Sequence, residues 1–412
     1  AVAGIFVPSF VMADDSTVTL YGKLSVGVES IKAEGAANSA QDIKSRVRVT
    51  DAASYIGFRG VEPLGGGVSA FFQVENLVKP DSGPGRTTFT TANTFANRNS
   101  GVGLRGAFGE IMLGRWDVFY TNHIPAGDQL FVKSAYASTV LAVMGGGAAG
   151  LGGLVSVLGS GNPNEGRGLT DFGGRRDNVV RYISPNLAGF TGKVSYVAPE
   201  NTTTYATDSA FSNAGEAKDS GIEASLTYLN KKIGFFNYSY FKRNDYLGLT
   251  GVGTAVAPVV GNDSTSHKVA LGTKLAGFTI GALWDRIRHE NPDLNFTVAA
   301  DQVDRERDAY GVFAAYETGR WAFGTSFAKA DEVEDKVAGT DLADTDARFF
   351  QLSANYNISK RTTIYATYAK ITNEASAMYD FFAQAAVSDS GPGFIGLGSD
   401  PTTLIIGINH YF

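Results

Sequence analysis

Thr17 to Glu29 reads TVTLYGKLSVGVE. Val18, Leu20, Gly22, Leu24, Val26 and Val28 share one parity, and Thr19, Tyr21, Lys23, Ser25 and Glu29 share the other. Successive side chains of a strand point to opposite faces, so this period of two predicts a strand with one apolar and one polar face. The pattern returns at Val68 to Val74, and at Phe349 to Ile358, where Phe350, Leu352, Ala354, Tyr356 and Ile358 oppose Gln351, Ser353, Asn355 and Asn357. It closes the chain at Thr403 to Phe412, with Leu404, Ile406, Ile408, His410 and the aromatic Phe412 on one face.

The connections between such segments alternate short and long. Short ones are Glu62 to Gly66, Ala107 to Gly109, Pro185 to Gly189, Asn230 to Lys232, Ala276 to Gly277, Glu317 to Arg320 and Ser359 to Arg361. Long ones include Ile31 to Lys44, Lys79 to Asn97, Tyr120 to Arg175 and Ala375 to Asp400. Seven short and eight long links make sixteen strands. An even strand number, with tight turns at one rim and long loops at the other, predicts an all-β transmembrane antiparallel barrel.

Composition agrees with that architecture. The chain has 412 residues, 50 glycines, 18 tyrosines, 27 phenylalanines and a net charge of -6. Its mean hydropathy of -0.05 lies between a helical membrane protein and most soluble ones, as expected where lipid-facing and wet residues alternate. There is no cysteine, which excludes disulfides and thiolate metal sites. A pI near 5.4 gives no case for nucleic acid. His123, His267, His289 and His410 are scattered without metal-ligand spacing, so no metal or cofactor is expected. Gly101-x-Gly103-x-x-Gly106 is followed by a second strand pattern rather than a helix, so it reads as a hairpin and not a dinucleotide site. The acidic run Asp331 to Asp346 reads as a solvated loop.

Two segments fall outside the alternation. Residues 1–13, AVAGIFVPSFVMA, are apolar and uncharged with small residues at their end, and they read as the remnant of a secretory signal preceding a barrel over 14–412. Tyr120 to Arg175 is glycine-rich and poor in charge. A connection of that length inside a repetitive wall is expected to be functional, here as a loop folded into the lumen. Its least charged part, Ala135 to Leu158, carries too many glycines to read as a spanning helix.

LYGKLSVGVE (Leu20 to Glu29), SYIGFRGVEPLGGGVSAFFQVE (Ser54 to Glu75), NRNSGVGLRGAFGEIMLGRWD (Asn97 to Asp117), RRDNVVRYISPNLAGFTGKVSY (Arg175 to Tyr196) and the final GINHYF support a family resemblance. The chain resembles the general porins of the Gram-negative outer membrane, most closely the betaproteobacterial type. That resemblance implies a homotrimer of sixteen-stranded barrels among outer-membrane lipid and lipopolysaccharide, with an infolded third loop. It places a basic pore-lining cluster at Lys23, Arg98 and one of Arg175 or Arg176, with Arg59 also facing the lumen. Where many relatives carry arginine this chain has Tyr55, and Arg46 or Arg48 are candidates to replace that charge. Opposing acids are Glu75 on the wall and Asp128, Glu165 and Asp171 on the loop. The expected function is passive diffusion of small hydrophilic solutes and ions, with a modest anion preference and no catalysis. A solute-specific channel and an outer-membrane barrel enzyme are the alternatives; the latter needs a serine, a histidine and a carboxylate or amide on the lipid face, where His410 is the only histidine.

Overall fold

Each alternating segment becomes a strand that pairs antiparallel with its chain neighbours. The computed structural model describes residues 17–81, 95–119, 175–199, 220–230, 232–244, 263–290, 304–336, 338–381 and 395–412. Its strands are β1 Thr17–Glu34, β2 Ile43–Asp51, β3 Tyr55–Gly65, β4 Val68–Leu77, β5 Ser100–Gly106, β6 Gly109–Asp117, β7 Arg175–Ile183, β8 Phe190–Val197, β9 Ser220–Asn230 and β10 Gly234–Asn244. They continue as β11 Ser264–Leu275, β12 Phe278–Glu290, β13 Asp304–Thr318, β14 Trp321–Ala330, β15 Val333–Asp335, β16 Thr340–Leu342, β17 Ala347–Asn357, β18 Thr362–Asn373 and β19 Asp400–Tyr411.

Among the described residues these make a closed wall of sixteen strands. β2 and β3 act as one wall strand: β1 pairs with β3 from Thr17↔Val61 to Lys23↔Tyr55, then with β2 from Val26↔Asp51 onward. The break between them is a bulge at Ala52 to Ser54, with Ala53 at φ 58° and the Ser54 hydroxyl taking the Ser25 amide at 2.9 Å. β15 and β16 form a hairpin beyond the end of β14, so the acidic run is a folded projection rather than only a solvated loop. Arg305–Asp335 at 2.8 Å and Lys336–Glu306 at 3.3 Å hold it to β13.

The wall closes where β1 meets β19, from Lys23↔Tyr411 to Glu34↔Asp400. Gly22 and Phe412 extend this seam by exchanging backbone hydrogen bonds of 3.1 and 3.2 Å. Closure pairs the first wall strand with the last, so neither presents a free edge, which in lipid would cost several kcal/mol per exposed amide. Glycine is required at Gly22 because a Cβ there would sit 2.7 Å from the Tyr55 carbonyl and run into the Phe412 ring.

The two faces separate as parity predicts. Leu24, Val28, Leu352, Leu404, Ile406 and Ile408 are exposed on the outside, ready for lipid. Aromatic pairs ring the short-turn rim: Phe190–Tyr228, Phe278–Tyr316 and Trp321–Tyr356, with centroids 4.5 to 4.8 Å apart. Such belts suit the membrane interface because their rings are apolar and their edges polar. Phe235 departs from this, since it lies buried on the inner face, stacked on Phe313 at 6.3 Å. The inner face also holds an apolar cluster at the long-loop end, where Ile31, Ala33, Phe349 and Ile371 pack with Tyr379, Phe381 and Ile395 of the last connection.

Candidate functional site

The polar inner face is the candidate site. On β1, β3 and β4 the side chains of Tyr21, Lys23, Tyr55, Arg59 and Glu75 point to the same side as Arg98, which precedes β5. Arg98 is ion-paired through Nε to Glu75 Oε1, and the Tyr21 hydroxyl donates to Glu75 Oε2 at 3.1 Å. The Arg98 guanidinium lies 4.9 Å from the Tyr55 ring centre, Lys23 Nζ 6.0 Å from it, and the Arg59 guanidinium 5.1 Å from the Tyr21 ring. A cation over an aromatic face gains roughly 0.5 to 2 kcal/mol, depending on how far both are desolvated. Tyr55 therefore fills the place of the absent arginine with a ring that two cations share.

Lys23 is less open than strand parity suggests. Its ammonium donates to the Ala52 carbonyl at 2.9 Å, inside the bulge, and the residue is only 4% exposed. Arg48 is bonded to Glu29 at 2.7 Å, in a row six residues along β1 from Lys23, and Arg46 is exposed still farther along, opposite Ile31. Neither takes the place of Tyr55, because the bulge separates β2 from the row Lys23↔Tyr55. Asp128, Glu165 and Asp171, together with residues 1–13, lie outside the described residues.

Arg175 belongs to a second group. Its Nε donates to Asn99 Oδ1 at 2.8 Å, its Nη2 lies 3.2 Å from Asp117 Oδ1, and Asn99 Nδ2 donates to Asp117 Oδ2 at 2.7 Å. The Arg176 guanidinium sits 5.7 Å from the Phe241 ring. Sequence reading missed further inner-face charges. Arg181 donates to Glu110 at 2.7 Å and stacks 4.3 Å from Trp116, while Lys193 lies 5.5 Å from the Phe119 ring. Arg243, Lys268, Asp285 and Arg307 are buried on the inner faces of β10 to β13. Strand parity was the signal that would have found them. Applied to every strand, it puts more basic than acidic residues on the described inner wall.

The chain leaving β6 turns inward. The Ser239 hydroxyl, on the inner face of β10, donates to the Phe119 carbonyl at 3.4 Å, although three strands stand between β6 and β10 in the wall. Val118 and Phe119 are both buried. His410, on the outside, has Nδ1 2.9 Å from Thr362 Oγ1. Among the described residues no group of His, Cys, Asp and Glu is arranged to hold a metal ion.

A closed barrel with an apolar exterior and a charged interior defines a membrane channel. The family profile of Gram-negative porins matches residues 1–376. The chain is 26% identical over 407 residues to outer membrane porin protein 32 of Delftia acidovorans, covering 96% of this chain and 94% of that protein. It is 26% identical over 369 residues to major outer membrane protein P.IB of Neisseria gonorrhoeae, covering 86% and 88%. Among solved structures, the anion-selective porin from Comamonas acidovorans superposes with a TM-score of 0.68 at 22% identity, covering 97% of this chain and all of that one. OmpT of Vibrio cholerae, in its trimer form, superposes with a TM-score of 0.59 at 14% identity, covering 97% and 100%. The chain belongs to the Gram-negative porin family. It is an integral outer-membrane channel for passive diffusion.

Proposed function

We propose that this porin is a homotrimeric channel with a modest preference for anions, narrowed by the connection 120–175 and exported by a signal ending at Ala13. The observation that carries the preference is the inner wall, where Arg59, Arg98, Arg175, Arg181 and Lys193 outnumber the acids that share their partners. Net charge is the wrong guide here. The Debye length is about 8 Å at physiological ionic strength, so an ion in the lumen responds to the nearest fixed charges and not to acids on distant loops. The name of the Comamonas relative, an anion-selective porin, favours the same reading.

The inward path of Phe119 toward Ser239 supports an infolded third loop. A trimer is supported by the trimeric form of the Vibrio relative, and by the apolar outer face of β1 and β19, which suits either lipid or a neighbouring subunit. Outer-leaflet lipopolysaccharide then surrounds the assembly, and small hydrophilic solutes and inorganic ions are its cargo. A planar-bilayer recording under a potassium chloride gradient tests the preference. The reversal potential is expected to favour chloride, and a potassium preference would overturn the reading. Running the unheated protein in detergent tests assembly, with a trimer-sized band expected and a monomer band contradicting it.

A further inference from the structure

The cations of this barrel differ in how far they are compensated. On the inner wall Arg48, Arg98, Arg175 and Arg181 each face a carboxylate, from Glu29, Glu75, Asp117 and Glu110 respectively. Charges at the long-loop end are matched in the same way: Lys242 with Asp263 and Arg286 with Asp308, both at 2.6 Å, and Lys370 with Asp400 at 3.2 Å. Opposite charges held that close largely cancel for an ion farther off, because their Coulomb terms are nearly equal in size.

The short-turn end is different. Arg105 on β5, Lys274 on β11, Arg320 before β14 and Arg361 before β18 are exposed, and none forms an ion pair among the described residues. All four have inward parity. Lys274 alternates with the buried Ala270, Arg320 with Ala322, and Arg361 with Thr363 and Tyr365. Arg105 has its guanidinium 5.8 Å from the ring of Phe71, an inner-face residue of β4. Their outward neighbours Leu104, Leu275 and Trp321 are exposed apolar side chains suited to lipid. Acids at this end are few among the described residues. Glu62 has outward parity, Glu317 is exposed beside Arg320, and Glu110, opposite Arg105, is already taken by Arg181 at 2.7 Å. Short turns of an outer-membrane barrel face the periplasm.

We infer that Arg105, Lys274, Arg320 and Arg361 form a ring of uncompensated cations at the periplasmic mouth and determine the specificity of this channel, concentrating small inorganic and organic anions at that end. The inference rests on the anion-preferring reading and gives it a location. The group around Tyr55 is partly neutralised by Glu75, whereas the lone charges at the periplasmic mouth keep their field. The two ends of the pore are therefore electrostatically unlike, and selection depends on which side is screened.

The test is a pair of recordings on the same channels in a bilayer of zwitterionic lipid, which adds no net charge of its own. Reversal potentials are read across a potassium chloride gradient from about 0.1 M to about 0.01 M, applied first in one direction and then in the other. The Debye length is about 10 Å on the concentrated side and about 30 Å on the dilute side, so the ring acts across the mouth only when the periplasmic side is dilute. The chloride-to-potassium permeability ratio should differ between the two directions by about twofold or more. Lys274→Gln, Arg320→Gln and Arg361→Gln together should make the two directions equal. Equal ratios in the parent protein overturn the inference whether or not the triple variant folds, and so does a variant that keeps the parent's asymmetry. A chloride preference that is the same in both directions refutes the ring alone, whereas a potassium preference in both directions refutes the anion reading beneath it.

Discussion

The guanidinium of Arg98 and the ring of Tyr55 are stacked on the inner wall, 4.9 Å from charge to ring centre, while Arg98 also pairs with Glu75. One residue thus carries both the local positive charge and its partial neutralisation. Tyr55→Arg removes the shared ring and adds a third cation beside Lys23 and Arg98. The chloride preference should strengthen, and the barrel should unfold at lower temperature because like charges crowd without the intervening aromatic face. Reversal potentials and thermal unfolding in detergent read the two effects separately.

Reversing the charges works in the opposite direction. Lys23→Glu combined with Arg98→Glu places two carboxylates next to Glu75 and removes the cations that offset it. The reversal potential should move toward potassium. An unmoved potential would mean that Arg175, Arg181 or charges outside this group govern the preference.

The third long connection is expected to set the narrowest section. If the connection continues the inward path that Phe119 begins, deleting residues 135–158 should raise single-channel conductance. Unchanged conductance would place that segment outside the ion path.

Wall parity has a direct energetic signature. Leu352 is 55% exposed on the outer face of β17, so Leu352→Arg should cost roughly 2 to 4 kcal/mol if it lies near the bilayer midplane. Gln73→Arg, on the inner face beside Arg59, should cost far less. Urea unfolding titrations of protein folded into vesicles compare them. Ser353 would be a poor control despite its inward parity, since it is buried against Gln351 and Thr367.

The first long connection carries a pH response. Asp42 accepts the amides of Ala36 at 2.9 Å and Gly35 at 3.0 Å, and Lys44 lies 3.3 Å away. The Ala36 bond, ahead of the Lys44 contact and the Gly35 bond, holds the Asp42 carboxyl below its ordinary value. A carboxylate with a depressed folded value stabilises the turn above its unfolded value, about pH 4, and loses that contribution as pH falls through the folded one. Amide exchange at Gly35 and Ala36 should accelerate in acid, and Asp42→Asn should show the faster exchange already at neutral pH. Identical exchange in both proteins across the range would rule this out.

Much of the fold was legible in the sequence because a strand's faces are a local property. The outward sets at Leu24, Val28, Leu352 and Leu404 and the alternation of short and long links all fall where period-two reading puts them. The pore residues were legible only in part. Parity predicts that Lys23 points inward, but not that the Ala52 to Ser54 bulge swallows its ammonium. Bulges insert a residue without an obvious composition mark, and this one also keeps Arg46 and Arg48 away from Tyr55.

The sequence by itself determined a sixteen-strand barrel, which face of each strand meets lipid, and the family to which the chain belongs. Those follow from side-chain periodicity and from contiguous segments of 6 to 22 residues. Only the tertiary structure decided which inward charges share partners and which are covered. Arg98 meets Tyr55, Ser239 meets Phe119, and Arg307 meets Tyr379 across sequence separations of 43, 120 and 72 residues. Curvature of the closed wall, and connections that turn back inside it, bring these residues together, and neither property is written in the alternation of any single strand.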